Sequence, residues 1–171
     1  MRVADFVTLT GSFAFKQATG SFVLTNGTTH VSNATTLANV KYLEVGGTVG
    51  TGFAGVGSFG FNLTSLTFGA VLVSDTNNTP TNTSDDTNYM ALKVDVASAT
   101  LTGLDGLSAS VTSLSVVVNK TSSTQTPNKV LDFVDTAAAT NDTPADNAAV
   151  SRTIATGPSS ANVTLDMDGD E

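Results

Sequence analysis

The sequence predicts an all-β fold, an elongated and solenoid-like stack of strand pairs, with a β-sandwich as the alternative. Three observations carry that prediction. From Val94 to Lys120 apolar residues recur every second position (Val94, Val96; Val111 after Ala109; Leu114, Val116, Val118), the period of a strand with one buried face. Of 171 residues, 29 are Thr and 17 are Ser, and only Glu44 and Glu171 among 15 acids are Glu, so helix formers are scarce and β-branched residues abundant. Turn chemistry then punctuates the apolar runs, at Asn26-Gly27 and at the Gly103-Leu104-Asp105-Gly106 corner.

Taken in order, residues 2–16 read as one long strand or two short ones, with Val7 and Leu9, then Phe13 and Phe15, alternating with small or polar residues. Ser21 to Thr25 reads as a further strand, and 26–39 as a polar, Thr-rich stretch. Lys41 to Val45 opens the next strand, Gly46 to Gly60 is Gly-dense, and Phe61 to Val73 is strand. A polar loop at 74–88 carries Asp75, Asp85 and Asp86. Tyr89 to Lys120 forms two strands around the Gly103–Gly106 corner; spacings of three and four in alternation, which a helix requires, are absent. Thr121 to Asn128 is a loop, Val130 to Val134 a strand, and 135–160 a polar excursion with one helical turn expected at Ala137–Thr140. Asn162 to Met167 is the last strand. The whole, residues 1–171, forms a single all-β unit.

Parts of this pattern repeat. Leu63-Thr64-Ser65-Leu66-Thr67-Phe68 matches Val111-Thr112-Ser113-Leu114-Ser115-Val116, and Gly11-Ser12-Phe13-Ala14-Phe15 matches Gly57-Ser58-Phe59-Gly60-Phe61. Leu43, Val45, Phe53, Val56 and Phe59 are spaced much as Leu92, Val94, Leu101, Leu104 and Leu107. A third copy arises when the end of the chain is read into its beginning, from Leu165 and Met167 to Val3, Phe6 and Leu9. The pattern is that of one period of a head-to-tail array cut inside a strand pair. The N-terminus fits that reading, since it lacks the apolar core of a signal peptide and begins inside a strand pattern.

Tyr89-Met90-Ala91-Leu92-Lys93-Val94, Leu101 to Leu107, Val130-Leu131-Asp132-Phe133 and Val3 to Phe15 together resemble the long tandem repeats of giant secreted bacterial surface proteins, which are adhesin-like and calcium-dependent. The resemblance implies an extracellular, cell-surface location and a structural or adhesive part, with no enzymatic activity. It carries over no functional residue.

The residues themselves narrow the chemistry. A net charge of −8 argues against nucleic acid and anionic membranes, and no apolar run is long enough for membrane insertion as a helix. With no Cys and with His30 as the single histidine, triads, zinc sites and thiol nucleophiles lack their parts. No G-x-S-x-G elbow or phosphate loop occurs, so no catalytic residue is expected and the chain is not read as an enzyme. Asp166-Met167-Asp168-Gly169-Asp170-Glu171 gathers carboxylates around a turn, making Asp166, Asp168, Asp170 and Glu171 the expected ligands of a Ca2+ ion. Asp75, Asp85 and Asp86, and Asp142 with Asp146, are lesser acidic candidates, and Asp105 is a turn former. N-x-[ST] sequons offer glycosylation at Asn26, Asn33, Asn77, Asn82, Asn119 and Asn141, with two more at Asn62 and Asn162. Thr8/Thr10, Thr81/Thr83 and Thr100/Thr102 read as β-branched residues on a solvated sheet face. The expected function is a structural unit of an extracellular array or filament. Its partner is itself, head to tail, through Val3, Phe6, Leu9, Leu165 and Met167. The alternative is an adhesive, glycan-binding module using the loops at 74–88 and 135–160.

Overall fold

The structure, a computed structural model, describes residues 2–3, 6–25, 35–77, 79, 81–123, 128–133, 151–158 and 160–167. Every regular element among them is a strand: β1 (Arg2–Val3), β2 (Val7–Thr25), β3 (Thr35–Val56), β4 (Phe59–Asp75), β5 (Thr87–Thr102), β6 (Ser110–Thr121), β7 (Val130–Asp132), β8 (Arg152–Ile154) and β9 (Val163–Leu165). The first six form one open antiparallel sheet in chain order; β7 pairs with the end of β2, and β8 with β9 make a separate hairpin. The fold is all-β, as its alternation dictates. The 19 residues of β2 span about 60 Å at ordinary strand rise.

Several boundaries differ from those read in the sequence, and pairing explains each. β2 runs unbroken through Gly11 and Gly20 because register shifts at Thr10/Gly11 and Gly20/Phe22 absorb the irregularity without ending the ladder. β3 begins at Thr35, inside the stretch read as polar loop, because Thr35 and Leu37 pair with Leu24 and Phe22. β8 lies within the excursion read as 135–160; its three residues are too short to show a period. The helical turn expected at Ala137–Thr140 lies outside the described residues. The corner after β5 is as expected, with Gly103 and Gly106 at φ 89° and 78°.

One row of irregularities crosses the sheet. The shift between Thr10 and Gly11 leaves Gly50 unmatched, and Ser65 on β4, Ala97 on β5 and Ser113 on β6 fall in the same line without pairing. Ser65 and Ser113 are left-handed, at φ 49° and 59°. The repeat read at 63–68 and 111–116 is therefore structural, because each copy supplies the same break to a strand flanking β5. The break turns the pleat, so that Leu63 and Leu66, three residues apart, join one core cluster with Val49 and Val96. The second match, 11–15 with 57–61, is not equivalent: Gly11 lies mid-strand and Gly57 in the β3–β4 turn. Of the third copy, Leu165 lies in a three-residue strand off the main sheet, whereas Val3 and Leu9 lie in β1 and β2 of it.

Between that row and the β7 end, the sheet has two apolar faces. On one, Tyr42–Val73–Tyr89 and Glu44–Val71–Ala91 stand in register. On the other, Leu43–Leu72–Met90 and Phe15–Val45–Ala70–Leu92–Val118 do. The first face is covered by the C-terminal segment. Leu131, Phe133, Ile154, Leu165 and Met167 bury themselves against Phe22, Leu24, Val40, Tyr42, Val71 and Val73, and burial of each large aliphatic contributes about 1.5–3 kcal/mol.

Small residues on the sheet let this cover seat closely. A Cβ on Gly46 would stand 2.2 Å from the Ala155 carbonyl oxygen, and one on Gly69 would stand 3.0 Å from Val163 Cγ1. Polar groups fix the cover around its margin. Arg152 Nε donates to Glu44 Oε1 at 2.6 Å, and its guanidinium lies 4.2 Å from the Tyr42 ring centroid and 4.6 Å from that of Phe22. Lys16 completes the charge balance at Glu44, Nζ to Oε2 3.3 Å. Thr48 donates to Thr156 Oγ1 at 2.8 Å, and the Thr156 hydroxyl donates in turn to the Ala161 carbonyl at 2.6 Å. The buried hydroxyl is thereby satisfied.

Candidate functional site

The acidic C-terminal run is the first site to place. Asp166 Oδ1 accepts from Lys93 Nζ at 2.7 Å, tying β9 to the middle of β5. Asp168, Asp170 and Glu171 lie outside the described residues. One expected calcium ligand is thus already matched to a cation, and among the described residues no three acidic, histidine or cysteine side chains converge on a common point.

The acidic loop after β4 holds itself together. Asp75 Oδ1 accepts from the Asn77 amide at 3.0 Å, Thr79 Oγ1 donates to Asp85 Oδ2 at 2.8 Å, and Asn82 Oδ1 accepts from Ser84 Oγ at 2.7 Å. A polar hollow of about 540 Å3 lies between this loop and Ser122–Ser123. Tyr89 at its margin is buried; burial pushes its phenol above the ordinary value, and the charge of Asp75 pushes the same way. Asp142 and Asp146 lie outside the described residues, and Asp105 sits exposed in the β5–β6 corner, as a turn former should.

The glycosylation candidates separate by where the side-chain nitrogen goes. Asn82 is exposed, and Asn77 is exposed with its Nδ2 donating to the Asp85 carbonyl. Asn119 is different: its Nδ2 donates inward to the Leu131 carbonyl at 2.6 Å, holding β7 over β6, so a glycan there would displace β7. Asn26, Asn33, Asn141 and His30 lie outside the described residues.

The five residues expected at a junction fall in three environments. Leu165 and Met167 are buried in the main core, where their side chains hold the cover down. Leu9 packs half-buried in the second cluster. Phe6 is exposed just before β2, beside the β3–β4 turn, where its carbonyl accepts from the Gly55 amide at 2.8 Å. Val3 pairs through its backbone with Val7 at the same end. The sheet thus has two unlike poles. At the pole where β2 begins, Phe6, Val56, Phe59, Leu104 and Leu107 are all exposed large apolar side chains. The sequence signalled these as the apolar members of the corners, spaced in threes; it did not show that two corners and the N-terminal approach share one end. At the other pole the Phe133 amide donates to the Met167 carbonyl at 3.1 Å, beside the end of β2.

Comparisons with protein families, with curated proteins and with solved structures return no match to this chain.

Proposed function

We propose that this chain is a structural unit of an extracellular head-to-tail repeat array at the cell surface. The observation that carries this reading is polarity: Val3 enters the sheet at one pole, Met167 lies toward the other, and β2, about 60 Å long, separates them. Copies joined end to end therefore add length instead of folding back. The entry pole is also apolar, with Phe6 57%, Val56 63% and Leu107 56% exposed, a surface that an abutting copy would cover. The contact joins two different ends, so it propagates without closing. An adhesive module finds less support: Tyr89, the aromatic at the margin of the 74–88 loop, is buried.

A chain carrying two copies in tandem tests the reading against the single copy. If the pole is a joint, the tandem chain has a higher urea midpoint than the single copy. Phe59→Asp with Leu107→Asp in the second copy removes that gain while leaving single-copy stability unchanged. Equal midpoints for one copy and two would overturn the proposal.

A further inference from the structure

Beyond its buried Val49–Leu66–Val96 row, the face of the sheet opposite the C-terminal cover has the composition of a core with large side chains left half-exposed. Phe15 is 65% exposed, and Leu72 and Val116 are each 41% exposed, while Val71 and Val73 on the opposite face of β4 are buried. Two rings give it relief, since Phe13 and Phe68 both lean over Gly47, where an added Cβ would lie 2.5 Å from Phe68 and 2.9 Å from Phe13. An open groove of about 490 Å3 runs along its rim beside Leu43 and Leu72. Charge is distributed just as unevenly. In a chain of net charge −8, the rows that form this face carry no carboxylate, and their charged members are Lys41 and Lys120 at the rim.

We propose that this face is an interface on which a second copy of the chain packs, sheet on sheet, in a two-fold arrangement. Its size sets the expectation. Three usable rows across five strands cover roughly 24 Å by 20 Å at ordinary strand and residue spacings. Two such faces bury on the order of 1,000 Å2, the threshold of specific interfaces. Half-exposed β-branched and aromatic side chains interdigitating at a sheet separation of about 10 Å then make the second layer of a sandwich that each copy lacks. Because the contact is self-complementary, it closes at two copies and does not compete with the poles. An interface at the size threshold is weak for single chains and becomes strong when many copies are linked. On the array reading, which this extension rests on, it holds two arrays side by side. The pairing itself needs only two single chains.

Sedimentation equilibrium of the single chain over a wide concentration range, with a melting curve for each variant, tests this. The expected result is a monomer–dimer equilibrium that stops at two. Dissociation weakens at higher salt, because screening reduces repulsion between two acidic chains while leaving the apolar contact intact. Leu72→Lys with Val116→Lys raises the dissociation constant at least tenfold without lowering the melting midpoint. If the lysines impair folding, Leu72→Thr with Val116→Thr gives the same comparison at smaller cost. A monomer at the highest concentration overturns the proposal, as does a dimer indifferent to both pairs of substitutions. Association abolished by Phe59→Asp and Leu107→Asp, and not by the face variants, places self-contact at the poles; it supports the array and refutes lateral pairing.

Discussion

Replacing Gly46 by Ala adds one methyl group, and the structure predicts that it unseats the cover. The backbone there needs no special conformation, since Gly46 is not among the residues with positive φ. The cost is therefore steric. The new carbon would lie 2.2 Å from the Ala155 carbonyl oxygen and 2.9 Å from Ile154 Cγ2. Restoring van der Waals separation moves the β8–β9 hairpin by on the order of 1 Å, a gap that forfeits a quarter to a half of each dispersion contact it opens. Overpacking of this kind costs about 1–3 kcal/mol. The control is four residues away. Gly50 sits in the unpaired row with nothing within 4 Å of the position a methyl group would take, so Gly50→Ala only restricts the unfolded chain and stabilises by about 0.4–1 kcal/mol. Urea unfolding of the two variants should separate their midpoints by roughly 1 M if the slope is ordinary for this size. Hydrogen exchange should show lost protection at Ile154 and Val163 in Gly46→Ala alone. Equal midpoints with protection unchanged would refute the description of the seat.

Leu165→Ala should cost about 2–5 kcal/mol, as expected for a fully buried leucine, whereas Phe6→Ala at the exposed pole should stay within about 0.5 kcal/mol; thermal or urea unfolding compares them. Tyr89 should ionise above the ordinary tyrosine value, read by phenolate absorbance in a Tyr42→Phe background. A raised pKa in the folded state means that its contribution to stability is complete below pH ~10 and is lost as pH rises through the folded value; Tyr89→Phe should remove that alkaline loss, and a midpoint at or below the ordinary value would contradict the burial. Calcium ligation by Asp166–Glu171 predicts a gain of about 2.7 kcal/mol at a hundredfold excess over Kd. Melting with calcium and with chelator decides it, and equal midpoints remove the role.

What the sequence determined by itself was local. Alternation at Val94–Val118 and Phe61–Val73 specifies strands because side chains of an extended backbone point alternately to two faces, whatever they later meet. The glycines of 103–106 specify the corner because positive φ is open to them at no steric cost. Even the break in the sheet left a trace, in the Thr-Ser-Leu triplets around Ser65 and Ser113. What only the tertiary structure decided is which of two apolar faces is covered, and by what. Both faces of β3 to β5 read as apolar, so periodicity cannot choose between them. The choice rests on Gly46 and Gly69 standing side by side on one face, where their missing side chains admit a hairpin from more than eighty residues away. That docking made a strand of Arg152–Ile154, too short to declare itself, and drew Leu165 and Met167 from an expected joint into the core. Cross-strand neighbours and long-range cover are properties of the folded chain, because the register that creates them is set by partners distant in sequence.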